Sequence, residues 1–202
     1  AKPNDLSEKL GIETLSYKDS LKRTFKKIEQ NEVISSWKDS FISGRYNFPL
    51  SDFIKVPEYG CFKDVQKIKI EDQANTLDKI WRIGGENGWY YATFLWKIRG
   101  YLDKLLGGIG LRRGRTHPEN IEPGDALDFW RVLYANKSEG RLLLYAEMKL
   151  PGDAWLEFKV EEGQLVQTAS FRPKGVMGRL YWYSVVPFHL FVFKGMAKKI
   201  AE

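Results

Sequence analysis

Residues 126–172 read ALDFWRVLYANKSEGRLLLYAEMKLPGDAWLEFKVEEGQLVQTASFR. The run divides into four strand-like segments at 126–135, 141–150, 154–160 and 165–172. Asn136, Gly140, Pro151-Gly152 and Gly163 punctuate them, and such turn residues between β-rich segments mark hairpin links. Links this short join antiparallel neighbours, since a parallel crossover needs a dozen residues or more. Side chains alternate across a strand, so Leu142, Leu144, Ala146, Met148 and Leu150 share one face. Leu143, Tyr145 and Glu147 share the other with Arg141 and Lys149. Trp130 and Val132 oppose Arg131 and Leu133 in the same way. Both faces therefore carry apolar side chains. Arg131 and Glu147 are then either a pair inside an apolar cavity or a pair on the outward surface.

Working outward, residues 178–201 form a closing helix. Its run LYWYSVVPFHLFVF, residues 180–193, carries no formal charge with His189 neutral. A membrane span needs about 20 such residues, and Pro187 disfavours a straight one. Burial against a sheet explains this helix first, and peripheral membrane contact second. Upstream, IGGENGWYYATFLWKIRGYLDKLLGGIGLRRGR spans residues 83–115. It reads as a helix from about Trp89 to Leu106 with a glycine turn at each end. A short helix capped by Asn75 or Thr76 precedes it through Ile83. The segment CFKDVQKIKIED before that alternates as a strand.

Residues 1–55 are helical and linker-like. Ser16 is placed to cap a helix carrying Leu21, Phe25 and Ile28 at helical spacing, Val33–Trp37 starts a second short one, and Pro49, Pro57 and two glycines mark a loop and a boundary. The order is strand, two helices, antiparallel strands, long helix. That order predicts an α+β domain over 56–202 in which a curved antiparallel sheet wraps the C-terminal helix. This is the helix-grip arrangement of START and polyketide-cyclase-like domains. Sheet and helix in that arrangement enclose an apolar ligand site.

Composition bounds the chemistry. The 202 residues carry net charge +6, with 43 % hydrophobic and 14 % aromatic residues. No nucleic-acid reading motif accompanies the charge, so no nucleic-acid partner is expected. One cysteine, Cys61, excludes an internal disulfide and fits a reducing, cytoplasmic setting. The chain opens on AKPNDLSEKLG without an apolar run, as a processed chain or a fragment of a longer one would. There is no HExxH, nucleophile elbow or ligand cluster, so no metal and no catalytic residue is assigned.

Gly108, Gly110 and Gly114 resemble a dinucleotide fingerprint, but they end a helix instead of opening one after a strand. Gly107 or Gly108 suits a helix C-cap. Arg112, Arg113 and Arg115, with Arg99 and Lys104 upstream, either grip an anion bidentately or pair with Asp103, Glu119, Asp125 or Asp128. His117 falls in a loop. His189 falls among helix aromatics, where a packing role is the ordinary one.

The blocks at 83–115, GDALDFWRV, AEMKLPGDAWLEF, QTASFRPKGVMGRLYWY and PFHLFVFKGMAKKI resemble an uncharacterised C-terminal domain. That domain is attached to bacterial atypical short-chain dehydrogenases, NAD(P)-binding and epimerase-like. LSYKDSLKRTFKKI is similar to the segment joining their Rossmann domain to it. The chain lacks a Rossmann glycine loop after a strand and a Tyr-x-x-x-Lys catalytic pair in that setting, so the resemblance implies no cofactor here. It implies an NAD(P)-binding domain acting in cis or in trans.

The expectation is a non-catalytic domain holding a hydrophobic small molecule, with an anionic group on it allowed but not required. Arg131 and Glu147 are the expected polar anchors, with Arg112, Arg113 and Arg115 at the mouth. Trp130, Tyr145, Trp155, Phe158, Phe171 and His189 are candidates for the wall. Two alternatives remain: an interaction domain docking on that partner or forming a homodimer, and a cyclase or dehydratase using Arg131 and Glu147 in one cavity.

Overall fold

The structure, a computed structural model, describes residues 15–29, 55–105, 107, 108, 110, 115 and 120–202. The chain forms two compact units, one of which contains helix α1, Tyr17–Glu29. Ser16 Oγ accepts from the Asp19 amide at 3.2 Å, the N-cap bond expected of it. The candidate helix at 33–37 and most of the loop and boundary region lie outside the described residues.

The second unit carries β1 (Phe62–Lys69), α2 (Gln73–Trp81), α3 (Thr93–Leu105), β2 (Ala126–Leu127), β3 (Trp130–Asn136), β4 (Arg141–Ala146), β5 (Gly152–Glu161), β6 (Gln164–Pro173) and α4 (Gly175–Ala201). The strands form one antiparallel sheet in the order β1-β6-β5-β4-β3-β2, and α4 lies across β1 and β6. This is the α+β, helix-grip-like arrangement expected.

Local signals shifted some boundaries. Asp72, not Asn75 or Thr76, caps α2, accepting from the Ala74 and Asn75 amides. Helix α3 starts at Thr93 because Tyr90 and Ala92 take positive φ of 58° and 49°, a left-handed backbone that no helix continues through. The segment 126–135 splits, since Asp128 also turns left-handed at φ 54°. Its carboxylate accepts from the Trp89 indole at 2.9 Å, tying the turn to the residues before α3. Burial raises the Asp128 pKa.

Register decides which residues share a face. Leu144 pairs with Val132 and Leu156, and Leu156 with Ala169. These, with Phe158 and Leu165, form the inner face under α4. Arg131 pairs with Tyr145, and Tyr145 with Trp155, on the outer face with Leu133 and Leu143.

Helix α4 reaches the sheet so closely that glycine is required. A Cβ on Gly178 would lie 2.4 Å from the Pro151 carbonyl oxygen. Between these contacts Trp182 stacks on Phe62 and Phe171, at centroid distances of 5.3 and 5.8 Å. The C-terminal half of α4 is buried through Val192, Phe193, Met196, Ala197, Ile200 and Ala201. The N-terminal half is not: Val176, Met177, Leu180 and Tyr183 are exposed. Burial against the sheet therefore accounts for only part of this apolar helix.

Candidate functional site

A cavity of about 310 Å³ lies between α3, the inner face of the sheet and the middle of α4. The inner face of the sheet contributes Ala146, Ala154 and Ala169 to its lining, Ala154 paired with Phe171 and Ala169 with Leu156. Small side chains at these positions leave volume that native packing would otherwise close.

The remaining wall comes from helices. From α3 come Leu95, Trp96, Ile98, Arg99 and Leu102; from α4 come Tyr181, Trp182, Phe188, His189 and Phe193. Trp96 packs against Trp89 and Phe129 at 5.0 and 5.8 Å, which fixes its ring. Its indole N–H and that of Trp130 are buried without a hydrogen-bond partner. An unmet buried donor carries a desolvation cost of about 1–3 kcal/mol, which both indoles bear.

Arg99 is the charged member of the wall. Its Nε and Nη2 each donate to the Met148 sulfur at 3.2 Å, and its guanidinium sits 5.4 Å from the centre of the Tyr181 ring. A thioether is a weak acceptor. No carboxylate among the described residues pairs with Arg99, and no acidic side chain lines the cavity. The nearby His189 has Nδ1 buried and unpartnered. Burial, and then the Arg99 cation, push its pKa down from 6.5 to about 4, so it is neutral at neutral pH. The polar members of the described lining thus include the Arg99 cation, a neutral imidazole and the hydroxyl residues Ser170 and Tyr181. That set accepts an anion or another acceptor-rich group and repels a cation.

The residues expected from sequence fall in three places. Trp130, Trp155, Phe171 and His189 line the cavity. Trp155 borders it from its strand while its indole meets Tyr145 edge-on at 5.7 Å on the outer face. Phe158 is fully buried in the core without lining the cavity. Arg131 and Glu147 do meet, Nε to Oε1 at 3.0 Å and Nη2 to Oε2 at 3.3 Å, both buried. Arg131 Nη1 also donates to the Gly124 carbonyl at 2.7 Å. The pair stands on the outer face with Tyr145, away from the cavity lining. Tyr145 there donates to Asp153, which Arg172 and Lys174 also hold.

Arg115 donates to the carbonyls of Ile83, at 2.8 Å, and of Trp81. It thereby closes the end of α2. Arg112 and Arg113 lie outside the described residues, as does His117. Gly107 takes φ 74° and its amide reaches the Lys104 carbonyl at 3.0 Å, the helix-terminating geometry expected of it. Buried Asp103 then accepts from the Gly110 and Lys149 amides at 2.9 and 2.7 Å. The glycine-rich turn is thus tied to the residues after β4 by one carboxylate.

The sequence reading placed Arg99 with the anion-binding cluster of Arg112, Arg113 and Arg115 instead of in the cavity, and passed over Trp96 and Tyr181. One signal was present: Phe94, Ile98, Tyr101, Leu102 and Leu105 already make an apolar stripe on α3, which puts Trp96 and Arg99 off that stripe. Among the described residues no group of His, Cys, Asp and Glu could hold a metal ion, and no helix is long and apolar enough to cross a membrane.

The chain belongs to the family described as protein of unknown function (DUF2867), whose family model matches residues 60–196. No curated protein and no solved structure matches it.

Proposed function

We propose that this domain binds a small hydrophobic anion in the cavity between sheet, α3 and α4, without transforming it. The observation that carries the reading is Arg99: a cation in an apolar wall, met among the described residues by a sulfur and an aromatic ring. The lack of an acidic side chain among the described lining residues supports the same ligand class, as does a volume of about 310 Å³, near the small end of ligand sites. Arg99 takes the anchoring role that the sequence reading gave to Arg131. The Arg131–Glu147 pair is satisfied within itself on the other face, which disfavours the cyclase alternative. The neighbour this domain serves is an NAD(P)-binding domain, in cis or in trans, a reading that rests on the resemblance of its sequence blocks alone.

Octanoate and octylamine are the discriminating probes, with Trp96 and Trp130 as fluorescent reporters in the wall. Octanoate is expected to bind saturably and octylamine not at all. Arg99→Met keeps length and apolar volume and removes the charge. A charge-assisted hydrogen bond contributes about 1.5–3 kcal/mol, so the variant should bind octanoate at least tenfold more weakly. Equal affinity for the two probes, or no effect of Arg99→Met, would overturn the reading.

A further inference from the structure

The helices that form the mouth of the cavity are inverted relative to ordinary surface helices. On α3 the exposed residues Phe94, Ile98, Tyr101, Leu102 and Leu105 recur at i, i+4, i+7, i+8 and i+11, one continuous stripe. On α4, Val176, Leu180, Tyr183 and Phe191 are exposed along about 22 Å of helix. Phe94 is 62 % exposed, Leu105 65 % and Phe191 57 %. Ile98, Leu102 and Phe188 belong both to this surface and to the cavity wall, so the two stripes border one opening. Monomeric proteins seldom leave so large an apolar surface without a use for it.

Charge names the occupant. Lys97 and Lys104 flank the α3 stripe at 100° per residue, and Arg179 flanks that of α4; all three are exposed, as is Lys194. Neither helix exposes an acid: Asp103 is buried and α4 contains none. A second copy docked face to face would bring these cations against their own images with no carboxylate on either stripe to pair them. An anionic bilayer meets both requirements, taking apolar and aromatic side chains below the headgroups and cations at them.

We propose that the α3–α4 face docks on the surface of an anionic phospholipid membrane, placing the cavity mouth against the lipid. The inference stands on the helix surfaces and does not require the cavity to hold any particular ligand.

Sedimentation of the 202-residue chain with vesicles tests it, using phosphatidylcholine alone and phosphatidylcholine with about 30 % phosphatidylserine. Binding is expected on the anionic vesicles and should weaken with salt. Lys97→Gln with Lys104→Gln should weaken it about 30-fold, from the contribution of each cation near an anionic surface. Leu105→Ser with Phe191→Ser, both sites exposed and outside the cavity lining, should weaken it about 100-fold with unchanged circular dichroism. Failure to sediment with either vesicle would overturn the proposal, as would equal binding to both with no effect of the lysine variant. A dimer in light scattering that the Leu105/Phe191 variant converts to monomer would overturn it in favour of a second copy.

Discussion

His189 makes stability respond to pH in a defined window. Its ring packs edge-on against Trp182 and Phe193, at centroid distances of 5.2 and 4.7 Å. Burial first, and the Arg99 cation second, hold its pKa at about 4 instead of 6.5. Above the unfolded value the imidazole is neutral in both states and contributes no pH dependence. As pH falls from 6.5 toward 4, the unfolded chain takes up a proton that the folded one refuses. Stability then drops by at most about 1.4 kcal/mol per pH unit. The loss reaches about 2.5 kcal/mol near pH 4.5 and levels off once both states are protonated. Urea unfolding of the protein and of His189→Phe, from about pH 7.5 to about pH 4.5, isolates this residue, because the carboxylates titrate in both. The stability difference between the two should grow as the medium is acidified, against the wild type. Parallel profiles would refute the reasoning and mean that the imidazole is solvated.

Two further outcomes follow from packing. Glu147→Gln removes the charge that Arg131 pairs with, at 3.0 Å in a buried site, and should cost about 3 kcal/mol in urea unfolding. Arg131→Met combined with Glu147→Leu should recover most of it, and octanoate affinity should stay unchanged in both, since the pair lies off the cavity. Gly195→Ala would set a Cβ 2.3 Å from the Tyr91 ring. Overpacking of about 1–3 kcal/mol then exceeds the helix-propensity gain of about 1 kcal/mol, so thermal unfolding should show a net loss despite a better helix former.

Much of the fold was legible because its signals are local. Alternation in RLLLYA gave the two faces of β4, and Pro151-Gly152 and Gly163 gave the links that make its neighbours antiparallel. The left-handed turns at Tyr90, Ala92 and Asp128 were less legible. None is a glycine, and their conformation is held by contacts such as that between Trp89 and Asp128.

The candidate site was legible only in outline. Arg131 and Glu147 were rightly read as partners, because they sit on the same face of adjoining strands. Which side of the sheet faced the cavity was not in the pattern, since both faces carry Leu, Tyr and Trp.

The sequence by itself determined the element types, the antiparallel order and the apolar character of α4, all properties of backbone sterics and side-chain period. The tertiary structure decided that Ala146, Ala154 and Ala169 line one cavity, and that Arg99 borders it with no carboxylate among the described lining residues. It also decided that the α3 stripe faces outward. Those outcomes depend on what covers each face, and periodicity states which residues lie together without stating what lies opposite them.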